Sequence, residues 1–94
     1  MQFAIYCLDK PDHLAKRMEN RPAHLEYLKK FTREIQLAGP LLADDGQTMI
    51  GSLFIVDMPD RAAAEAFSAG DPYRKNGVFA SVDIRPFRKA LPAG

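Results

Sequence analysis

The sequence predicts an α+β chain, a βαββαβ sandwich with two helices on one face of a four-stranded antiparallel sheet. Three observations carry this reading. Two β-favouring segments, Gln2 to Leu8 and Val78 to Phe87, lie near the two ends of the chain. Between them are two stretches with helical spacing of apolar residues, separated by a strand–turn–strand signal. Ninety-four residues suit one domain spanning 1–94 and are too few for two.

Gln2 to Leu8 is almost wholly apolar and stops at Asp9-Lys10-Pro11, as a strand does. Its two faces, Phe3/Ile5/Cys7 and Ala4/Tyr6/Leu8, are both apolar. A two-layer sandwich covers only one of them with helices, so the second face predicts self-association. The polar stretch from Asp12 to Asn20 reads as a loop or short helical turn. A helix is expected to open near Pro22, since proline suits the first helical position. Leu28, Phe31, Ile35 and Ala38 then recur at three- and four-residue steps, and Gly39-Pro40 reads as the stop.

Leu41 to Ala43 reads as a short strand, Asp44-Asp45-Gly46 as a turn, and Met49 to Asp57 as the returning strand of a hairpin. Pro59-Asp60 opens a second helix through Ala63, Ala66 and Phe67, ended by Gly70. Asp71-Pro72 begins a short turn that Asn76-Gly77 closes. In the last strand Val78, Ala80, Val82 and Ile84 are expected on one side, and residues 89–94 are expected to be a loose tail. Right-handed crossovers around the hairpin then give a ferredoxin-like arrangement with sheet order 4-1-3-2.

Charge and composition exclude several classes of function. Thirteen basic and twelve acidic residues leave a formal charge of +1, with no like-charge run, so nothing resembles a nucleic-acid footprint. The apolar runs are too short for a bilayer and the N-terminus lacks a signal-peptide pattern, so a cytoplasmic protein without a membrane partner is expected. Cys7 is the only cysteine and reads as a small core residue. No metal or organic cofactor is implied, because too few ligand-type residues cluster. No phosphate-cradling glycine loop and no Gly-x-Ser-x-Gly elbow around Ser52 are present.

The topology brings the loop after the first strand, the start of the first helix, the hairpin turn and the segment 70–77 to one edge. His24 is the most informative residue there. It lies on the same stripe as Leu28, Phe31 and Ile35, so it faces the sheet, in what is expected to be the first turn of the helix. It reads either as a core histidine with one hydrogen bond or as a general base. Asp71 reaches the same edge, where it can orient His24 or cap the turn that Pro72 begins. Tyr73 and Arg21 could line the same pocket, although Arg21 also reads as a solvated charge. His13 reads as solvated, Asp83 with Arg85 as a surface ion pair, and Asp44-Asp45 as turn chemistry.

The opening strand with Tyr6, then Arg21-Pro22-Ala23-His24-Leu25 and Ala38-Gly39-Pro40-Leu41, resembles the YciI-like (YCII-related) family. Ala66-Phe67, Asp71-Pro72-Tyr73, Gly77-Val78-Phe79 and Ile84-Arg85-Pro86-Phe87 agree with it in order and spacing, from Met1 to Lys89. The resemblance implies a ferredoxin-like α/β fold that dimerises sheet to sheet, as in dimeric α/β barrels of the muconolactone isomerase type. It also implies an active site built on a histidine and an aspartate, which fall on His24 and Asp71.

Two functions follow as expectations. One is a small cofactor-free enzyme in which His24 and Asp71 perform acid–base chemistry on a small organic substrate, as an isomerase, a lyase of dehydrochlorinase type or a hydrolase. The alternative is a non-catalytic dimeric module that binds a small molecule in the same pocket.

Overall fold

A computed structural model describes residues 1–93; the tail residue Gly94 lies outside the described residues. The elements are β1 (Gln2–Asp9), α1 (Leu14–Leu28), a 3₁₀ turn (Lys29–Phe31), β2 (Ile35–Leu42), β3 (Met49–Asp57), α2 (Arg61–Gly70), α3 (Pro72–Lys75) and β4 (Phe79–Phe87). The strands form one antiparallel sheet in the order β2-β3-β1-β4, the same arrangement as 4-1-3-2 read from the other side. The predicted ferredoxin-like architecture is therefore the observed one.

The first helix departs from expectation. It begins at Leu14, eight residues before Pro22, so Asp12 to Asn20 contributes half a helix and Pro22 sits inside it. The helix ends at Leu28, and Ile35 to Ala38 belong to β2. The cause lies in which side of α1 is buried. Arg17, Arg21, His24 and Leu28 share one face by the i, i+4, i+7, i+11 rule and line a cavity against the sheet. Leu14, Met18 and Leu25 of the same helix stand about half exposed. An inward face built from two arginines and a histidine carries no hydrophobic period, so the helix is invisible to a search for one. The apolar spacing from Leu28 to Ala38 spans a helix end, a 3₁₀ turn and a strand instead.

Gly39-Pro40 is likewise no helix stop. It lies within β2, an edge strand where a missing backbone N–H is tolerated, and Pro86 occupies the other edge strand, β4. The second helix follows prediction: the Asp60 side chain accepts from the Ala63 N–H at 2.9 Å and caps it. The expected turn after Gly70 is a single helical turn, α3, and Gly77 follows it with φ +75°, a left-handed conformation natural to glycine.

Phe3, Ile5 and Cys7 of β1, with Phe54 and Val56 of β3 and Phe67 of α2, form the core under the helices. Cross-strand partners share a face, which puts Ala4, Tyr6 and Leu8 opposite Ile55, Leu53 and Gly51 on the other side. A register shift between Leu8 and Asp9 pairs Asp9 with Phe79 and skips Ala80. Phe79 is buried and Ala80 is exposed, a reversal of the expected alternation. Burial pushes the Cys7 thiol up to about 12, with the Asp71 charge adding to the shift, as suits a core residue.

Candidate active site

The Arg17, Arg21 and His24 face of α1 lines a cavity that Ser52 and Phe54 of β3 and Tyr73 of α3 also line. Asp71, at the junction of α2 and α3, supplies the first contact. Its Oδ1 lies 2.8 Å from His24 Nδ1 and also accepts the Tyr73 backbone N–H at 3.0 Å. Both side chains are nearly sealed from solvent, 9% exposed for His24 and 3% for Asp71. A carboxylate that already accepts a backbone N–H is an acceptor toward the imidazole, which assigns the proton to Nδ1 and leaves Nε2 as the basic atom. Capping and orienting, the two roles the sequence offers for Asp71, are thus both performed by one oxygen.

His24 sits eleven residues into a fifteen-residue helix, away from the first turn, so the expected influence of the N-terminal dipole does not apply. Its ring stacks on Tyr73 with centroids 3.9 Å apart and planes 16° from parallel. It meets Phe54 edge-on at 6.1 Å. These contacts act with the carboxylate in fixing the orientation of the ring. Burial raises the Tyr73 hydroxyl above its ordinary value, and the positive charges of Arg17 and Arg21 pull it back down.

Arg17 is the functional-looking residue that sequence reasoning missed. It is 2% exposed, and its Nε donates to Asp9 Oδ2 at 2.7 Å. Nη2 donates to Asp9 Oδ1 at 3.3 Å and to Ser52 Oγ at 2.6 Å. The guanidinium carbon lies 4.4 Å from the centre of the Tyr73 ring. The available signal was its spacing: Arg17, Arg21 and His24 recur at four and three residues, one helical face, once the helix is extended backwards through Asn20.

All four singled-out residues meet at one place. His24, Arg21 and Tyr73 line a cavity of about 50 Å³ with Arg17, Ser52 and Phe54, and Asp71 stands behind His24. That volume admits the reacting end of a small molecule, while the rest must lie outside it. Elsewhere, Asp83 and Arg85 form the exposed ion pair expected of them, at 3.8 Å. Asp45 ties its own turn through Thr48 and Gln47, which holds its carboxyl down at about 2. His13 is partly buried and contacts the Pro11 carbonyl at 2.8 Å. Among the described residues, no three His, Cys, Asp or Glu side chains converge as a metal site requires, and no helix is long and apolar enough to cross a membrane.

The YCII-related domain model matches residues 1–88, and the chain belongs to that family. It is 38% identical to protein YciI of Escherichia coli O6:H1 over 97% of this chain and 100% of the relative. It is 36% identical, with the same coverage, to an uncharacterized protein of Haemophilus influenzae. Among solved structures it is similar to 5-chloro-2-hydroxyhydroquinone dehydrochlorinase (TftG) from Burkholderia phenoliruptrix in complex with 2,5-dihydroxybenzoquinone. That match has a TM-score of 0.87 and 34% identity over 94% of each chain.

Proposed function

We propose that this YCII-related chain is a small acid–base enzyme in which His24 moves a proton on a small organic substrate and Asp71 holds the imidazole for that task. The observation that carries the reading is the buried 2.8 Å contact between His24 Nδ1 and Asp71 Oδ1 beside a cavity lined by the same histidine. Asp71 fixes the tautomer and offsets the positive charge that appears when Nε2 takes a proton. Arg21 and Tyr73 contact the substrate in this reading.

Elimination is favoured over isomerisation and hydrolysis, since the similar enzyme TftG is named a dehydrochlorinase. In such a step His24 Nε2 takes a proton from the substrate. The electron pair left behind forms a new π bond, and chloride departs with the electrons of the carbon–chlorine bond. A general base is worth roughly 10²–10⁴-fold in rate. Chloride release from 5-chloro-2-hydroxyhydroquinone, compared between wild type and His24→Gln, tests the role. A loss in that range with an unchanged circular dichroism spectrum is expected; equal rates would remove His24 from the chemistry.

The same reading includes a homodimer formed through the sheet face that the helices leave bare. Its support is the exposure of Tyr6, Leu8, Leu37 and Phe87 on that face. A monomer by sedimentation equilibrium at micromolar concentration would count against it.

The alternative of a non-catalytic binding module draws on one observation, that capping Tyr73 already gives Asp71 a structural duty. Turnover of any ligand that loses its rate in His24→Gln decides against it.

A further inference from the structure

We propose that Arg17 and Arg21 form a cradle for an anionic oxygen and that the substrate is accordingly a small organic acid, a carboxylate, enolate or phenolate. This deepens the acid–base reading and relies on it for the placement of the substrate next to His24. The argument starts from the donor inventory of Arg17. A guanidinium has five N–H groups. The one on Nε and the two on Nη2 are taken by Asp9 and Ser52. The guanidinium also hydrogen-bonds the Tyr73 hydroxyl, which lowers that group's pKa. No buried side-chain nitrogen or oxygen among the described residues is walled off without a partner. Arg17, on a side chain 2% exposed, lines the cavity together with the Tyr73 side chain that it bonds.

Arg21, one helical turn further on, lines the same cavity and makes no ion pair among the described residues. Two guanidinium groups thus line the same small, partly open cavity. The charge of one is balanced by Asp9 and that of the other by no carboxylate in contact. In such a space a charge-assisted hydrogen bond to an anionic oxygen is stronger than a neutral one, and two planar donor groups suit an sp² oxygen.

The cradle also has a place in the proposed step. When His24 Nε2 takes a proton from the substrate, the electron pair of the broken bond delocalises onto the conjugated oxygen. Arg17 and Arg21 stabilise that oxygen as its charge grows. The proton rests on the imidazole against Asp71. It returns to another carbon in an isomerisation, or leaves the substrate for good as chloride departs.

The test uses 2,5-dihydroxybenzoquinone, a vinylogous acid that ionises in neutral buffer, and its uncharged dimethyl ether, both titrated by calorimetry. Wild type is expected to bind the acid at least about tenfold more tightly than the ether. Arg21→Gln and Arg17→Lys are each expected to weaken the acid by about tenfold or more and to leave the ether unaffected. Arg17→Lys keeps a cation beside Asp9; if it fails to fold, by near-ultraviolet circular dichroism, Arg21→Gln carries the test alone. Equal affinity for acid and ether, no binding of the acid at about millimolar concentration, or an Arg21→Gln protein that binds the acid as wild type does would each overturn the cradle. His24→Gln separates the two readings. If it binds the acid normally and the unmodified enzyme shows no turnover, the acid–base role fails while the cradle stands. If turnover depends on His24 and the arginine variants bind normally, the reverse holds.

Discussion

On the helix-covered face of the sheet, Arg17, His24, Ser52 and Asp71 are each under a tenth exposed, and each is held by another of the polar groups around the cavity. On the opposite face Tyr6, Leu8, Leu37 and Phe87 stand between 36% and 53% exposed. Beside the apolar core, polar groups are buried around the cavity while large apolar side chains stand outside on the bare face, which stability alone would not arrange for a solitary globule. Burying a charge costs several kcal/mol even when it is paired. A chain that carries two such pairs under one helix spends stability on a cavity lined with donors. The bare face offers apolar area that association could use to offset it.

The largest expected effect comes from breaking the buried pair. Arg17→Met leaves the Asp9 carboxylate, only 6% exposed, without its cation and should cost about 3–5 kcal/mol in urea unfolding. Pairing that change with Asp9→Asn should recover much of the loss, and a double variant no more stable than the single one would show that packing against Tyr73, not charge, is what Arg17 supplies. Asp71→Asn should cost less, about 1–2 kcal/mol, since an amide oxygen still caps the Tyr73 N–H. It should also change the ¹⁵N shifts of the His24 ring, because the proton on Nδ1 loses its anionic acceptor. Unchanged ring shifts would reduce Asp71 to a helix cap.

A separate effect should appear only in alkali. The Cys7 thiol is raised from 9.0 to about 12 in the folded chain, so the unfolded chain ionises first. The thiol's contribution is complete below pH 9 and is lost as pH rises toward 12. Cys7→Ala should flatten the fall of the melting temperature across that window, measured against wild type; an identical slope would assign the fall to tyrosines and lysines. The smallest effect on stability is expected on the bare face. Leu37→Lys, at a position 53% exposed, should leave the unfolding of the dilute chain within about 0.5 kcal/mol while shifting sedimentation toward the monomer. A large loss of stability without a change in sedimentation would mean that the face is covered in some other way.

The two faces also differed in how well they could be read. β1, β3 and the core half of α2 announce themselves through apolar content and turn residues, and the apolarity of both β1 faces is plain in the sequence. The cavity side was partly legible. His24, Asp71, Arg21 and Tyr73 were all singled out, and all four gather at the cavity. Arg17 was not, because the polar run from Asp12 to Asn20 looks like a loop when helices are sought by their apolar stripe. The regular alternation the sequence predicts for β4 fails at Ala80 for a related reason, since the shift that turns Phe79 inward is set by its pairing with β1.

What the sequence by itself determined is the order of elements, and with it the sheet topology, because apolar segments of this length joined by these turns have few ways to pair. It also determined that an acid and a histidine lie at the same end of the sandwich. The tertiary structure alone decided where α1 begins, which of its sides is buried, and that one Asp71 oxygen serves both the histidine and the helix. The physical reason is that the buried charge is stabilised by partners on other elements, on β1 and β3, and not by its own helix. Asp9 and Ser52 make an inward Arg17 tolerable, and nothing in the residues adjacent to Arg17 announces them.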